Sequence, residues 1–379
     1  MTAGPRPTQV AVALFAYVAA LPVMLADSGG PQVADVALVA LAWSLRGSGG
    51  GQTLTSGLGP VVRLQVLFAV VASIVDLIWA VLLHTTEPLL GAASAIHACV
   101  AVALLVAAAE VLSVGAFLRI LSWAVLVALA IAWLASGLES EVLGARPRAT
   151  FRNPNQLGYF AICMASLLAL ALAERRLRPS AALAGFGTAL ALVASSQSRA
   201  ALAGAAALVA ILAWRAPRLV AAMMALGLLL AVAAPGVLGS AANSQRINPS
   251  GLDTDVFAAT RGYQRVWEHP QFLAFGASSG GHVRFASSRD PGLEIHSSWL
   301  YVPFSYGIIG SGLALLVLAA AFHGSAWLAA ATLAPAMVVG IAHMGLRFRS
   351  FWVLFAATAV VAAARRCQMQ HTANGSLNR

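Results

Sequence analysis

The stretch "NPNQLGYFAICMASLLALALAERR", residues 153–176, decides the fold class. Its centre, 157–173, carries no charge, and it runs from an Asn-Pro-Asn turn to Glu174-Arg175-Arg176. A helix crossing the hydrocarbon core of a bilayer needs roughly 20 apolar residues, and fewer where it packs among neighbours. The run therefore reads as a membrane span. Comparable runs lie near 8–26, 31–46, 64–83, 90–109, 116–137, 180–195, 199–214, 218–238, 297–320, 325–343 and 350–364. The predicted architecture is an all-α polytopic membrane protein of about twelve spans. The first run reads as an uncleaved helix, because its apolar core is long and further spans follow it.

Composition agrees. Only 9% of the 379 residues are charged and the mean hydropathy is +0.83, whereas soluble chains carry roughly 25% charged residues. All 23 basic residues are arginine. Codon usage in a GC-rich genome accounts for that preference. Its physical consequence is that every basic side chain is a planar fork suited to phosphate or carboxylate. The net charge of +10 fits arginine-flanked spans and anionic lipid rather than nucleic acid. Cys99, Cys163 and Cys367 are scattered and suggest neither a disulfide framework nor a metal site.

With the N-terminus placed in the cytoplasm, the short connections put twelve arginines inside and six outside. The six outside are Arg146, Arg148, Arg152, Arg199, Arg347 and Arg349. Five more, Arg246, Arg261, Arg265, Arg284 and Arg289, fall in one long outer loop, 239–296. Arginines that break the positive-inside pattern point to function. Loops of this length are functional or disordered, and Trp267, Phe272, Phe275 and Phe285 predict that this one packs. Asp76 and Glu110 are the only acids deep in spans, and neither has an evident partner in the sequence. The chain reads as a single membrane domain: helices one to five over 1–138, a region over 139–365 that includes the loop, and a cytoplasmic tail over 366–379.

Three short constellations could carry chemistry. In "SSQSRAALAG", 195–204, serines cap a helix whose first turn holds Arg199. A helix N-terminus presents free N–H groups to anions; an arginine there opposes the helix dipole unless an anion offsets it. In "EIHSSWLYVPFSYGIIGSGL", 294–313, His296 stands where the loop meets the tenth span, with Ser297 or Ser298 as cap. A histidine at a helix start is biased towards the neutral form that a general base requires. In "TRGYQRVWEHP", 260–270, Arg261 and Arg265 are four apart and would share a helical face, with Glu268 as a competing partner for Arg265. The outer acids lack the clustering of a metal site, and His269, His282 and His296 lack ligand spacing. No metal or cofactor is expected, and arginine forks would neutralise a leaving diphosphate.

Taken in order, these pieces resemble the O-antigen ligase and polysaccharide polymerase superfamily. The resemblance rests on Asn153-Pro154-Asn155, on Ser196–Arg199, on Arg261 with His269-Pro270…Gly276, and on His296-Ser297…Leu300…Gly307…Gly310, and it covers roughly 145–365. It implies a GT-C-like architecture. It implies metal-independent, inverting transfer of a glycan from a polyprenyl-diphosphate-linked donor to a glycan or lipid-glycan acceptor, at the outer face of the cytoplasmic membrane. It further implies that His296 activates the acceptor hydroxyl and that Arg199 and Arg261 bind the diphosphate. Arg265 competes for that role, and Arg152 would face the head group while Asn153 and Asn155 turn the chain. Arg347, Arg349 and Glu294 could line the same cavity. The chain departs from the family at Tyr306, where many ligases are acidic, and at Ser297, where they carry asparagine. A transporter or flippase for an anionic lipid or solute is the competing expectation.

Overall fold

The computed structural model describes residues 6–25, 32–46, 52–143, 147–215, 217–218, 220–222, 258–286, 292, 294–323 and 326–377. Among them the chain is helix and connecting turn, with no strand. The first eight helices are α1 (Pro7–Ala19), α2 (Val33–Ser44), α3 (Gln52–Leu83), α4 (Glu87–Leu112), α5 (Val114–Leu143), α6 (Pro154–Ala173), α7 (Pro179–Ser196) and α8 (Arg199–Arg215). Two one-turn helices, α9 (Arg265–Glu268) and α10 (Phe272–Phe275), lie in the long loop. Then come α11 (Ser298–Phe322), α12 (Ala326–Gly340) and α13 (Arg349–Leu377).

Seven helices, α3, α4, α5, α6, α7, α11 and α13, are long and apolar enough to cross a membrane. Helices α1, α2 and α8 and the apolar part of α12 are shorter. The 13 residues of α1 reach roughly 20 Å at 1.5 Å per residue, short of a 30 Å core. Eleven of the twelve predicted spans fall on helices, and 218–238 lies largely outside the described residues. The described helices thus do not reach the expected count of twelve crossings. Helix α13 runs on past 364 because no glycine or proline interrupts it before Gly375.

Helix α6 is 83% buried across its span and α3 only 17%. The stretch that decided the fold class therefore lies at the centre of the bundle, and α3 presents its face to lipid. At one end of the bundle, Arg365 pairs with Glu174 at the end of α6. Arg366 donates to the carbonyls of Ala321 and His323 at the end of α11. Cations there satisfy the last carbonyls and suit the negative pole of the helix. At the other end the caps are polar. Asn153 Oδ1 accepts from Gln156 N at 3.0 Å, Ser198 Oγ from Ala201 N at 3.4 Å and Ser297 Oγ from Leu300 N at 3.4 Å.

Between those caps, the described part of the loop folds down onto the helices. Helix α11 carries Pro303 and is broken at Gly307, whose φ of 64° no residue with a Cβ readily adopts. A Cβ there would also lie 2.4 Å from the Ala274 carbonyl oxygen. The break leaves carbonyls without helical donors. Loop residues supply them: Ala277 N donates to Phe304 O at 2.7 Å and Ser278 N to Ser305 O at 2.9 Å. Irregular backbone within a membrane bundle persists only where protein satisfies it in this way.

The same loop segment explains Asp76 on α3. Its Oδ1 accepts from Ser278 Oγ at 2.7 Å and Ser279 N at 2.9 Å, and its Oδ2 from Ser279 Oγ at 3.1 Å. The acid that has no evident partner in the sequence is the anchor of the loop. Nearby, Phe272, Phe285 and Phe304 meet edge to face at 5.5–5.7 Å, and Arg284 lies 4.2 Å over the Trp79 ring. Trp267 and Phe275, expected to pack, are exposed.

Candidate functional site

A polar cavity of about 230 Å³ opens where four irregular segments converge. The cap of α6 contributes Asn153, Asn155 and Gln156, and the turn before α9 contributes Thr260 and Arg261. Glu294 and His296 come from the approach to α11, and His343, Met344, Arg347 and Phe348 from the connection between α12 and α13.

Backbone bonds set this geometry. Gly262, at φ 69°, ends the helical turn at 258–260. Arg261 and Arg265 therefore do not share a helical face, contrary to the four-residue spacing. Arg261 Nη1 reaches the Ala342 carbonyl at 3.1 Å, while the Arg261 carbonyl accepts from His296 N at 3.1 Å. Tyr263 Oη donates to His296 O at 3.2 Å. Arg347 forms an ion pair with Glu294 and donates to Ser279 O at 3.4 Å. The cavity wall is thereby tied to the Asp76-anchored segment.

His296 is half-buried, and its Nδ1 lies 2.8 Å from the Glu294 carbonyl oxygen. A carbonyl only accepts, so Nδ1 carries the proton and Nε2 keeps its lone pair in the neutral ring. Burial holds its pKa below the ordinary histidine value. The Glu294 carbonyl and carboxylate work against that lowering, and Arg261 and Arg347 add to it. The arrangement is a neutral imidazole with one basic nitrogen, beside two guanidinium groups and a carboxylate.

The remaining expected residues are distributed as follows. Asn155, Glu294 and Arg347 line the cavity with Arg261 and His296. Arg199 is exposed at the first residue of α8 and is not among the lining residues. The turn that carries it packs on α6, where a Cβ on Gly158 would lie 2.8 Å from Ser196 Oγ. Arg152 is exposed just ahead of the α6 cap, its N–H donating to Gln156 Oε1 at 3.2 Å. Arg265 is 1% exposed and sits under the loop, 5.8 Å from the centre of the Phe285 ring. Arg349 does not join Arg347. Its Nε and Nη2 bind Asp35 of α2 at 2.7 and 2.6 Å, with His97 Nε2 on the same carboxylate at 2.9 Å. Tyr306 lies instead in an apolar neighbour, edge-on to Phe68 and Tyr301.

That neighbour is a cavity of about 390 Å³ between α3, α4, α11, α12 and α13, walled by Phe68, Ala95, Val302, Tyr306, Trp352 and Phe355 among others. Met344 and Arg347 line both cavities. Sequence reasoning missed His343, Gln156 and Thr260 as lining residues. The available signal was position: each stands within a few residues of a motif at the same end of the bundle. Comparison of the sequence with known protein families and with characterised proteins finds no match to either.

Proposed function

We propose that this protein is a GT-C-like membrane glycosyltransferase of about twelve crossings, working at the outer face of the cytoplasmic membrane. It moves a glycan from a polyprenyl-diphosphate donor to the hydroxyl of a glycan or lipid-glycan acceptor, for cell-surface polysaccharide assembly. One observation carries the reading: a polar cavity holding a neutral histidine and two arginines shares Arg347 with an apolar cavity among the helices. An amphiphile with an anionic head and a long hydrocarbon tail has the matching chemistry.

In the proposed reaction the tail lies in the apolar cavity and the diphosphate meets Arg261 and Arg347. The acceptor hydroxyl gives its proton to His296 Nε2 as its oxygen attacks the anomeric carbon. The new C–O bond forms on the face opposite the diphosphate. The old C–O bond breaks, and its electron pair leaves on the diphosphate, whose charge the guanidinium groups meet. Arg199 and Arg152, exposed at the same end of the bundle, suit a second contact with the head group or the approach of an anionic lipid.

The test is glycan transfer in proteoliposomes with a carrier-linked donor. His296→Ala should lower the rate by on the order of 10²–10⁴-fold, the usual range for general base catalysis, while the fold survives. Full activity in that variant would refute the assignment. Discontinuous helices also build transporter sites, so the break in α11 makes lipid or solute transport the second reading. Movement of labelled lipid across the same vesicles, without transfer, would favour it.

A further inference from the structure

His343 lines the polar cavity and has no place in the reaction above. It sits between α12 and α13, and only 7% of its surface is exposed. Its own carbonyl is held by Ser298 N at 3.2 Å, Ser298 Oγ at 3.1 Å and Gly345 N at 2.9 Å. Its ring stacks on Phe348 at 5.5 Å with an interplanar angle of 21°, and the Tyr159 ring lies 5.5 Å away. Backbone and ring are thus fixed. Yet Nε2 is enclosed and has no hydrogen-bond partner among the described residues. Buried polar groups are paired in the great majority of cases, and an unpaired one calls for an explanation.

Burial, with the Arg261 guanidinium adding to it, pushes the His343 pKa down to about 3. The ring is therefore neutral, with one donor and one acceptor. Phosphate oxygens only accept and are better served by the arginine forks beside it. A sugar hydroxyl both donates and accepts, which matches the neutral ring.

We propose that His343 is a substrate-binding residue that hydrogen-bonds a hydroxyl of the acceptor sugar in the polar cavity, next to His296. This rests on the glycosyltransfer reading. The geometry gives the two histidines different work: His296 takes the proton, and His343 orients the molecule that loses it. The acceptor accordingly carries at least one hydroxyl besides the one that reacts.

The experiment uses the full chain in proteoliposomes with a polyprenyl-diphosphate-linked glycan donor, varying donor and oligosaccharide acceptor separately. His343→Phe keeps an aromatic ring against Phe348 and Tyr159 but removes the hydrogen bond. It should raise the acceptor KM about tenfold, the scale of one lost neutral hydrogen bond, and leave the donor KM within about twofold. His343→Gln, which retains a donor and an acceptor, should recover part of the loss. If thermal melting shows that the Phe variant does not fold, His343→Leu against His343→Gln makes the same comparison. A wild-type acceptor KM in the Phe variant overturns the inference, as does a donor KM that rises in step or a lowered melting temperature with both KM values unmoved. A wild type that transfers no glycan overturns the glycosyltransfer reading and this inference together.

Discussion

The two adjoining cavities are built by opposite means. The residues of the polar cavity come from the first turn of a helix or from the segments between helices. The apolar cavity is walled mostly by the long sides of helices, joined by Met344, Leu346 and Arg347 from the connection between α12 and α13. In a bilayer the second arrangement asks nothing unusual of the chain, since regular helices satisfy their own backbone. The first needs irregular segments whose backbone is satisfied by protein. The anchored loop, with Ala277 and Ser278 on the broken part of α11 and Ser278 and Ser279 on Asp76, supplies that satisfaction. The polar cavity thus depends on a structural device outside itself.

Arg347 belongs to both cavities, so its replacement should have the largest effect on donor binding of those that follow. Arg347→Gln removes a charge-assisted anchor and leaves Glu294 without its ion pair. Such a contact is worth about 1.5–3 kcal/mol, which corresponds to a rise in donor KM of about 10- to 100-fold. Arg349→Gln, two residues away, breaks a latch between α2 and α13 instead. It should lower the melting temperature while the donor KM stays put. Equal donor KM effects in the two variants would erase the distinction between them.

Asp76→Ala tests the device that holds the polar cavity. It leaves the Ser278 hydroxyl and the Ser279 N–H without their acceptor in a buried place, while the Ser279 hydroxyl keeps the Pro88 carbonyl at 3.3 Å. Each such group costs about 1–3 kcal/mol, so a total of about 2–6 kcal/mol is expected. The loop should become more open to protease than the helices. A loop that stays equally protected would show that the aromatic cluster alone holds it.

A pH series sharpens the contrast from the polar side. Because the His296 pKa lies below the ordinary value of about 6.5, the basic Nε2 is fully available at neutral pH. The transfer rate should hold down to pH 6.5 and fall about tenfold per unit only below the lowered value. Stability has its own acid window. His282 and His343 are both pushed down to about 3 by burial first. The unfolded chain takes up their protons near pH 6.5 and the folded chain does not. Their contribution to stability is therefore whole above 6.5 and erodes as the pH falls towards about 3. Melting temperatures across that range separate the loss of fold from the loss of base. A rate that falls already above pH 7 would remove His296 from the base role.

The helices were legible because apolar runs of this length admit few alternatives. Capping of α6 by the asparagines of the Asn-Pro-Asn turn and of α11 by Ser297 or Ser298 was legible because a cap is a local event, and Asn153 and Ser297 make the bonds. The meeting of Arg261, Glu294, His296 and Arg347 follows from alternation of spans, which brings the ends of successive helices to the same side. What could not be read is which of two neighbouring arginines turns towards the cavity. Arg261 and Arg265 are separated by the left-handed Gly262, and Arg347 and Arg349 by a 3-10 turn that ends between them. Those choices depend on Asp35, 314 residues from Arg349, and on the carbonyl of Ala342, 81 residues from Arg261. The role of Asp76 was hidden for the same reason, its partners lying 202 and 203 residues away.

Gln65 offers the smallest effect and tests the apolar cavity on its own terms. It lies on α3, is 3% exposed, and lines the apolar cavity. Neither its Nε2 nor its Oε1 has a partner among the described residues. An amide without partners in an apolar setting is destabilising, and an apolar side chain of similar size relieves the cost. If the cavity serves only a hydrocarbon tail, Gln65→Leu should raise stability by about 1 kcal/mol and leave the donor KM where it was. If the amide instead meets a polar group partway along the bound lipid, the same change should weaken the donor while still stabilising the free protein. Melting temperature and donor KM measured on one preparation decide between a cavity that is apolar throughout and one that carries a single polar mark.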